Sequence, residues 1–104
     1  MPAKYRLIYS PRLASDLHSI FRYIERDSPQ NATRMIQKII EGIDSLEQLP
    51  HRYPVAEGAN NRRGEIRVMT IRPYLVFYRI LEEQQAIRLI TVRHGARQRP
   101  DNLE

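Results

Sequence analysis

The run Tyr74–Leu81, YLVFYRIL, constrains this chain more than any other segment. Successive side chains of a strand point to opposite faces of its sheet, and here apolar residues fall at both parities. Such a strand is buried on two sides, so it belongs inside a sheet and not at its edge. Its neighbours in sequence must then supply flanking strands and cover.

Flanking strands are readable on both sides. A strand over about 65–71 places Ile66 and Val68 on one face and Arg67 and Met69 on the other. Arg72-Pro73 turns the chain. Glu82–Gln85 reads as a polar hairpin loop, followed by a strand over Ala86–Val92. Near the N-terminus, YRLIY (Tyr5–Tyr9) reads as a further short strand.

Two helices precede the meander. Ser10-Pro11 and Ser28-Pro29 each combine an N-cap serine with proline at the first helical position. After the first come Leu13, Leu17, Ile20, Phe21 and Ile24 at helical spacing, with Arg12, Asp16, Arg22 and Arg26 facing elsewhere. After the second come Ala32, Met35, Ile36, Ile39, Ile40, Ile43 and Leu46, and Pro50 stops that helix. Facing apolar stripes predict a helical hairpin. Gly42 within the second helix costs roughly 1 kcal/mol against alanine, and a close helix crossing is the expected reason. From Pro50 to Gly64 the breakers Pro50, Pro54, Gly58, Asn60-Asn61 and Gly64 predict a loop.

The fold class that follows is α+β: an N-terminal strand, a two-helix antiparallel hairpin, then a three-stranded antiparallel meander. One domain over 1–104 is expected, with 93–104 as a basic C-terminal tail. Two helices cover only one face of so small a sheet. The other face is expected to stay open, carrying Leu75, Phe77, Ile87 and Leu89 with Arg67 and Arg93 nearby. Exposed apolar area of that kind marks a partner site, unless the tail or the Pro50–Gly64 loop folds back over it.

Charge sharpens the expectation. The formal net charge is +5, yet residues 1–61 carry eight basic and seven acidic side chains. The excess lies in the second half, in Arg62, Arg63, Arg67, Arg72, Arg79, Arg88, Arg93, Arg97 and Arg99. Only Lys4 and Lys38 are lysines. Arginine's planar fork suits phosphate and carboxylate, so an anionic or acidic partner is expected. There is no cysteine, hence neither disulfide nor thiolate chemistry. No run reaches the ~20 apolar residues of a membrane span. The N-terminus lacks a signal-peptide core, so a cytoplasmic location is expected. His18, His51 and His94 are scattered, which predicts no metal site. No glycine loop for phosphate occurs, and no cofactor is expected.

Taken in order, SPRLASDLHSIFRYI, SPQNA, LEQLPHRYP and GEIRVMTIRPYLVFYRI…IRLITVRHGARQRP resemble the RelE/ParE superfamily of type II toxin–antitoxin toxins. The resemblance spans nearly the whole chain. It implies a toxin neutralised by a cognate antitoxin, a separate small protein whose C-terminal segment wraps it, and links the protein to plasmid stabilisation. RelE-like members are ribosome-dependent ribonucleases that cut messenger RNA with Lys, Arg, Glu, His and a late Tyr on the open sheet face. ParE-like members poison DNA gyrase instead. Residue by residue, Arg67 or Arg72 matches the phosphate-contacting sheet arginine, Arg93 or Arg97 the later arginine, and His94 the histidine of some members. No tyrosine follows Tyr78 and no lysine follows Lys38, so the ribonuclease set is incomplete. The HGAR ending is similar to ParE toxins. The resemblance therefore implies a gyrase poison without covalent chemistry of its own. The ribonuclease acting through Arg67, Arg72, Arg93 and His94 is the alternative, and a toxin that has lost its activity a third reading.

The partner-binding candidates are Arg67, Tyr74, Phe77, Arg79, Arg93 and Arg97. Several of the singled-out residues have a plainer reading beside them. Arg67 can pair with Glu65, Tyr74 and Tyr78 can be core, Arg79 can fall on either face, and Arg97 can be solvated. His94 can make an ordinary hydrogen bond at a strand end. With an open apolar face, the isolated protein is expected to be less soluble than its complex.

Overall fold

Ser10 shows how the chain is assembled. Its hydroxyl oxygen accepts from the Leu13 N–H at 3.0 Å, capping the first helix, and the same hydroxyl donates to the Ile90 carbonyl at 2.9 Å. One buried side chain thus fixes the helix start and ties it to the last strand. Ser28 caps the second helix by accepting from the Asn31 N–H at 3.2 Å. In both helices proline follows the cap, where its missing N–H costs nothing.

The computed structural model describes residues 4–56 and 65–97. The elements are β1 (Arg6–Tyr9), α1 (Pro11–Glu25), α2 (Pro29–Ser45), β2 (Ile66–Ile71), β3 (Tyr74–Leu81) and β4 (Ala86–His94). Single 3-10 turns occupy Pro50–Arg52, Glu82–Gln84 and Gly95–Arg97. The sheet order is β1-β4-β3-β2, with β1 parallel to β4 and the other pairings antiparallel. The two-sided apolar run is therefore internal, as expected. A cis peptide precedes Pro73 in the β2–β3 turn. Among the described residues no helix is long and apolar enough to cross a membrane.

The main core lies between the helices and one sheet face. Leu13, Ile20, Ile39, Ile43 and Leu46 meet Met69, Val76, Tyr78, Ile87, Leu89 and Val92 there. Burying each such aliphatic side chain contributes about 1.5–3 kcal/mol, so this layer dominates stability.

Four boundaries and roles differ from the sequence reading. α2 ends at Ser45 with Leu46 as its cap, and Pro50 opens a 3-10 turn instead of stopping the helix. Gly42 faces β2, not α1: a Cβ there would meet Ile71 Cδ1 and the end of Met69. β4 continues past Val92, because Arg93 pairs with Leu75 and His94 with Tyr74. Arg93 and His94 are thus strand residues and not the start of a tail. The loop after Pro50 is also partly ordered by pairing, as Val55 bridges Arg67. Residues 57–64 and 98–104, including Arg62, Arg63 and Arg99, lie outside the described residues.

Candidate functional site

Register decides which residues share a face. On β3 strict alternation sends Tyr74, Val76, Tyr78 and Ile80 to the helix side, with Leu75, Phe77 and Arg79 on the other. On β4 the ladder slips between Phe77↔Thr91 and Tyr78↔Leu89, leaving Ile90 as a bulge residue. The slip puts Ile87 and Leu89 under the helices and brings Ile90 beside Phe77. The expected grouping of Leu75, Phe77, Ile87 and Leu89 is therefore wrong for Ile87 and Leu89.

The second face is not an open apolar sheet either. The chain after the Pro50–Arg52 turn runs along the outer edge of β2. Val68 N–H donates to Pro54 O at 3.0 Å and Ala56 N–H to Ile66 O at 2.7 Å. Ala56 then joins Ile66, Phe77 and Ile90 in a second small core, with Val68 and Leu75 packed beside it. Phe77 is only 2% exposed, so as a contact residue it would need this cluster to rearrange. The fold-back of the Pro50 segment, weighed as the alternative above, accounts for this part of the face.

Cations border that cluster. Arg79 stands directly opposite Arg88 on β4, and Arg93 opposite Leu75. Arg79 is 1% exposed while Arg88 is exposed and Arg93 half-buried. Like charges directly opposite each other weaken a ladder unless something compensates. Each of these three side chains makes an interaction within the chain, so none is free.

Arg67 lies elsewhere. It pairs with Tyr78, on the helix side of β2. Its Nη1 donates to Tyr53 O at 2.7 Å and His51 O at 3.3 Å, and its Nη2 to Glu65 at 3.3 Å. Placing Arg67 beside the open face is therefore a misreading: it clamps the segment after α2. Tyr78 does the same from the core, donating its hydroxyl to Pro50 O at 2.6 Å. Burial pushes its phenol pKa well up.

At the β2–β3 turn end, Tyr74 and His94 meet edge to face, with ring centroids 5.5 Å apart. They and Pro73 form one wall of a groove of about 500 Å³ whose other wall is Ile20, Tyr23, Ile24 and Met35. Tyr23 is 61% exposed beside it. His94 Nδ1 accepts from the Ala96 N–H at 3.1 Å, so its Nε2 carries the proton in the neutral ring. Arg72 is exposed in the turn, and Arg97 ends the described residues in the turn Gly95–Arg97. Met35 belongs to the apolar stripe of α2; the stripe read on α1 leaves out Tyr23. Its place beside Ile20 and Ile24 on one helix face was the available signal.

A polar cluster at the opposite end of the sheet also escaped the sequence reading. Glu82 accepts from Tyr5 OH at 2.9 Å and pairs with His51 Nε2 at 2.5 Å. The bonds from Tyr5 and then His51 hold the Glu82 carboxyl below its usual range, and the first raises the Tyr5 phenol. No group of three or more His, Cys, Asp or Glu among the described residues could hold a metal ion.

A helical pair on one face of a four-stranded sheet, with its first strand parallel to its last, defines a class of small α+β proteins found in several solved structures. The chromosomal ParDE toxin–antitoxin system of P. aeruginosa matches with a TM-score of 0.68 at 19% identity, over 88% of this chain and 96% of that one. The archaeal RelE-RelB complex of Pyrococcus horikoshii OT3 gives 0.65 at 15%, covering 91% and 99%. The toxin–antitoxin complex RelBE2 of Mycobacterium tuberculosis gives 0.63 at 20%, covering 88% and 98%. The chain belongs to the family described as ParE toxin of type II toxin-antitoxin system, parDE, whose model matches residues 7–99. It is also 29% identical to Y4kP of Sinorhizobium fredii, a protein that carries a toxin name, over 97% of this chain and 99% of that one. Toxin RelE2 of Caulobacter vibrioides is 26% identical over 88% and 97%.

Proposed function

We propose that this protein is a gyrase-directed toxin of the ParE kind, held inactive by a cognate antitoxin. The observation that carries the choice of target is the dispersal of the candidate ribonuclease residues. Cleavage through a 2′-hydroxyl needs a base, an acid and a cation within reach of one phosphate. Arg67 is bonded to main-chain carbonyls on the helix side. Arg93 and His94 are consecutive in β4 and so face opposite ways, while Arg72 sits in the turn. On the other face Ile66, Val68, Leu75 and Phe77 of β2 and β3 belong to the second small core, which holds no group to move a proton. A cytoplasmic site of action goes with this reading.

The antitoxin half of the proposal draws support from the three matched structures, each of which is named as a toxin–antitoxin system or complex. An acidic amphipathic segment fits this surface. Its apolar side chains would enter the groove between Tyr23 and Tyr74, and carboxylates on a stretch crossing to the other face would meet half-buried Arg93. Ordering such a segment has an entropic cost, so a wide contact is expected.

Purified toxin added to gyrase supercoiling reactions should inhibit them and accumulate cleaved complexes. Messenger cleavage in a purified translation system, lost in His94→Ala, would instead establish the ribonuclease. Neither activity, with antitoxin binding intact, would point to a toxin that has lost its action.

A further inference from the structure

β1 is the outer strand of the sheet, and its own chain uses only one of its edges. Arg6 N–H donates to Gln85 O at 2.8 Å and Ser10 N–H to Leu89 O at 3.2 Å, so positions 6, 8 and 10 face β4. The N–H and C=O groups of Leu7 and Tyr9 therefore point away from the sheet. Among the described residues they meet no main-chain partner there; pairing on that side stops at Tyr5 N–H to Glu47 O, 2.9 Å. Two donors and two acceptors in a row form a template for another strand.

The two flanks of this edge differ in charge. Away from the helices, Arg6 is exposed, and exposed Arg88 stands across from Ile8. On the helix side, the Tyr9 phenol lies near Asp44 and Glu47; burial and these two carboxylates push its pKa up. We propose that this edge takes up an extended segment of another protein as a fifth strand. That segment carries a carboxylate on the Arg6–Arg88 flank and a basic or apolar residue on the Tyr9 flank. Main-chain bonds to Leu7 and Tyr9 give the affinity, and the flanking charges set the register. A second copy of this chain fits poorly, because antiparallel β1 strands would bring Arg6 of each copy onto the same arginine-lined flank.

The inference rests on the antitoxin reading, which supplies the segment. The test is amide exchange by NMR on labelled toxin, free and in complex with the product of the neighbouring open reading frame. The Leu7 and Tyr9 amides should slow by about tenfold or more in the complex, while the Ile8 amide, already paired with β4, changes little. Tyr9→Pro removes one outward donor at a position where an edge strand tolerates proline. With its melting unchanged, it should weaken the complex; Arg6→Glu should weaken it roughly threefold. If the complex forms and both amides exchange as in free toxin, the fifth strand is refuted while the antitoxin reading stands. If no complex forms, that reading falls and the inference with it. Protection that grows with the concentration of toxin alone would make a second copy the occupant and overturn the proposal.

Discussion

Gly42 of α2 approaches Ile71 of β2 so closely that a Cβ on it would lie 2.5 Å from Ile71 Cδ1. The same atom would sit 3.3 Å from Met69 Cε. Alanine in a helix interior gains roughly 1 kcal/mol over glycine, but here the Ile71 terminus must move to admit it. Gly42→Ala is therefore expected to give almost none of that gain alone. In an Ile71→Val background, where Cδ1 is absent, Gly42→Ala should stabilise by up to about 1 kcal/mol. Gly42→Leu should lose about 1–3 kcal/mol through overpacking. Urea unfolding of the four-member cycle, with Gly42→Leu as a fifth protein, measures all of this.

Arg67 is expected to matter for stability and not for toxicity. Its side chain is 17% exposed and its guanidinium holds two carbonyls of the segment after α2. Arg67→Ala leaves those carbonyls without that donor and should cost about 1–3 kcal/mol in urea unfolding. Gyrase inhibition at a temperature where the variant is folded should match the parent. Loss of inhibition at unchanged stability would make Arg67 a contact residue after all.

Tyr78 ties the core to Pro50. Tyr78→Phe leaves the Pro50 carbonyl without its buried donor, again about 1–3 kcal/mol. Alkaline pH should show the burial of the same hydroxyl. The folded state holds the Tyr78 proton more tightly than the unfolded chain, because of burial. The stability linked to that proton is complete below about pH 10 and falls as pH rises further, at up to about 1.4 kcal/mol per pH unit. Tyr78→Phe should show a shallower decline above pH 10 in denaturant midpoints.

The elements themselves were legible because their signals are local. Two Ser-Pro starts, two apolar stripes and one doubly apolar strand need no knowledge of partners. The bulge at Ile90 was not, since a slip between two ladders leaves no period in either strand. It moved Ile87 and Leu89 to the helix side. Parity correctly put Arg67 opposite Ile66 and Val68, but not which of the two faces the helices cover. The Tyr5–Glu82–His51 cluster joins residues 77 and 31 positions apart, beyond any local pattern.

Glu82 should mark the acid limb of stability. Hydrogen bonds from Tyr5 and then His51 favour its ionised form in the folded state. The linked stability is present above the unfolded carboxylate value near 4.3 and is lost as pH falls through the lower folded value. The site is open to solvent, so the effect is small, and its sign is what counts. Midpoints of the parent should drop between about pH 4.5 and 3 more steeply than those of Glu82→Gln. Parallel curves would mean that the carboxylate is not held in solution.

Asp16 looked like a solvent-facing residue of α1, yet it closes the free part of β4. Beyond the end of β1, the edge of β4 would expose the Val92 N–H and the Thr91 hydroxyl. Asp16 Oδ2 accepts from Val92 N–H at 3.1 Å and from the Thr91 hydroxyl. Thr91 is 1% exposed, so removing the carboxylate leaves a buried donor without its acceptor. Asp16→Ala should therefore cost about 1–3 kcal/mol. Asp16→Asn, whose amide oxygen can still accept, should recover part of that loss. The Val92 amide should exchange faster in Asp16→Ala than in the parent, while Ile43 in the helix core stays protected. Equal stability of all three proteins would show that the edge is closed by something other than Asp16.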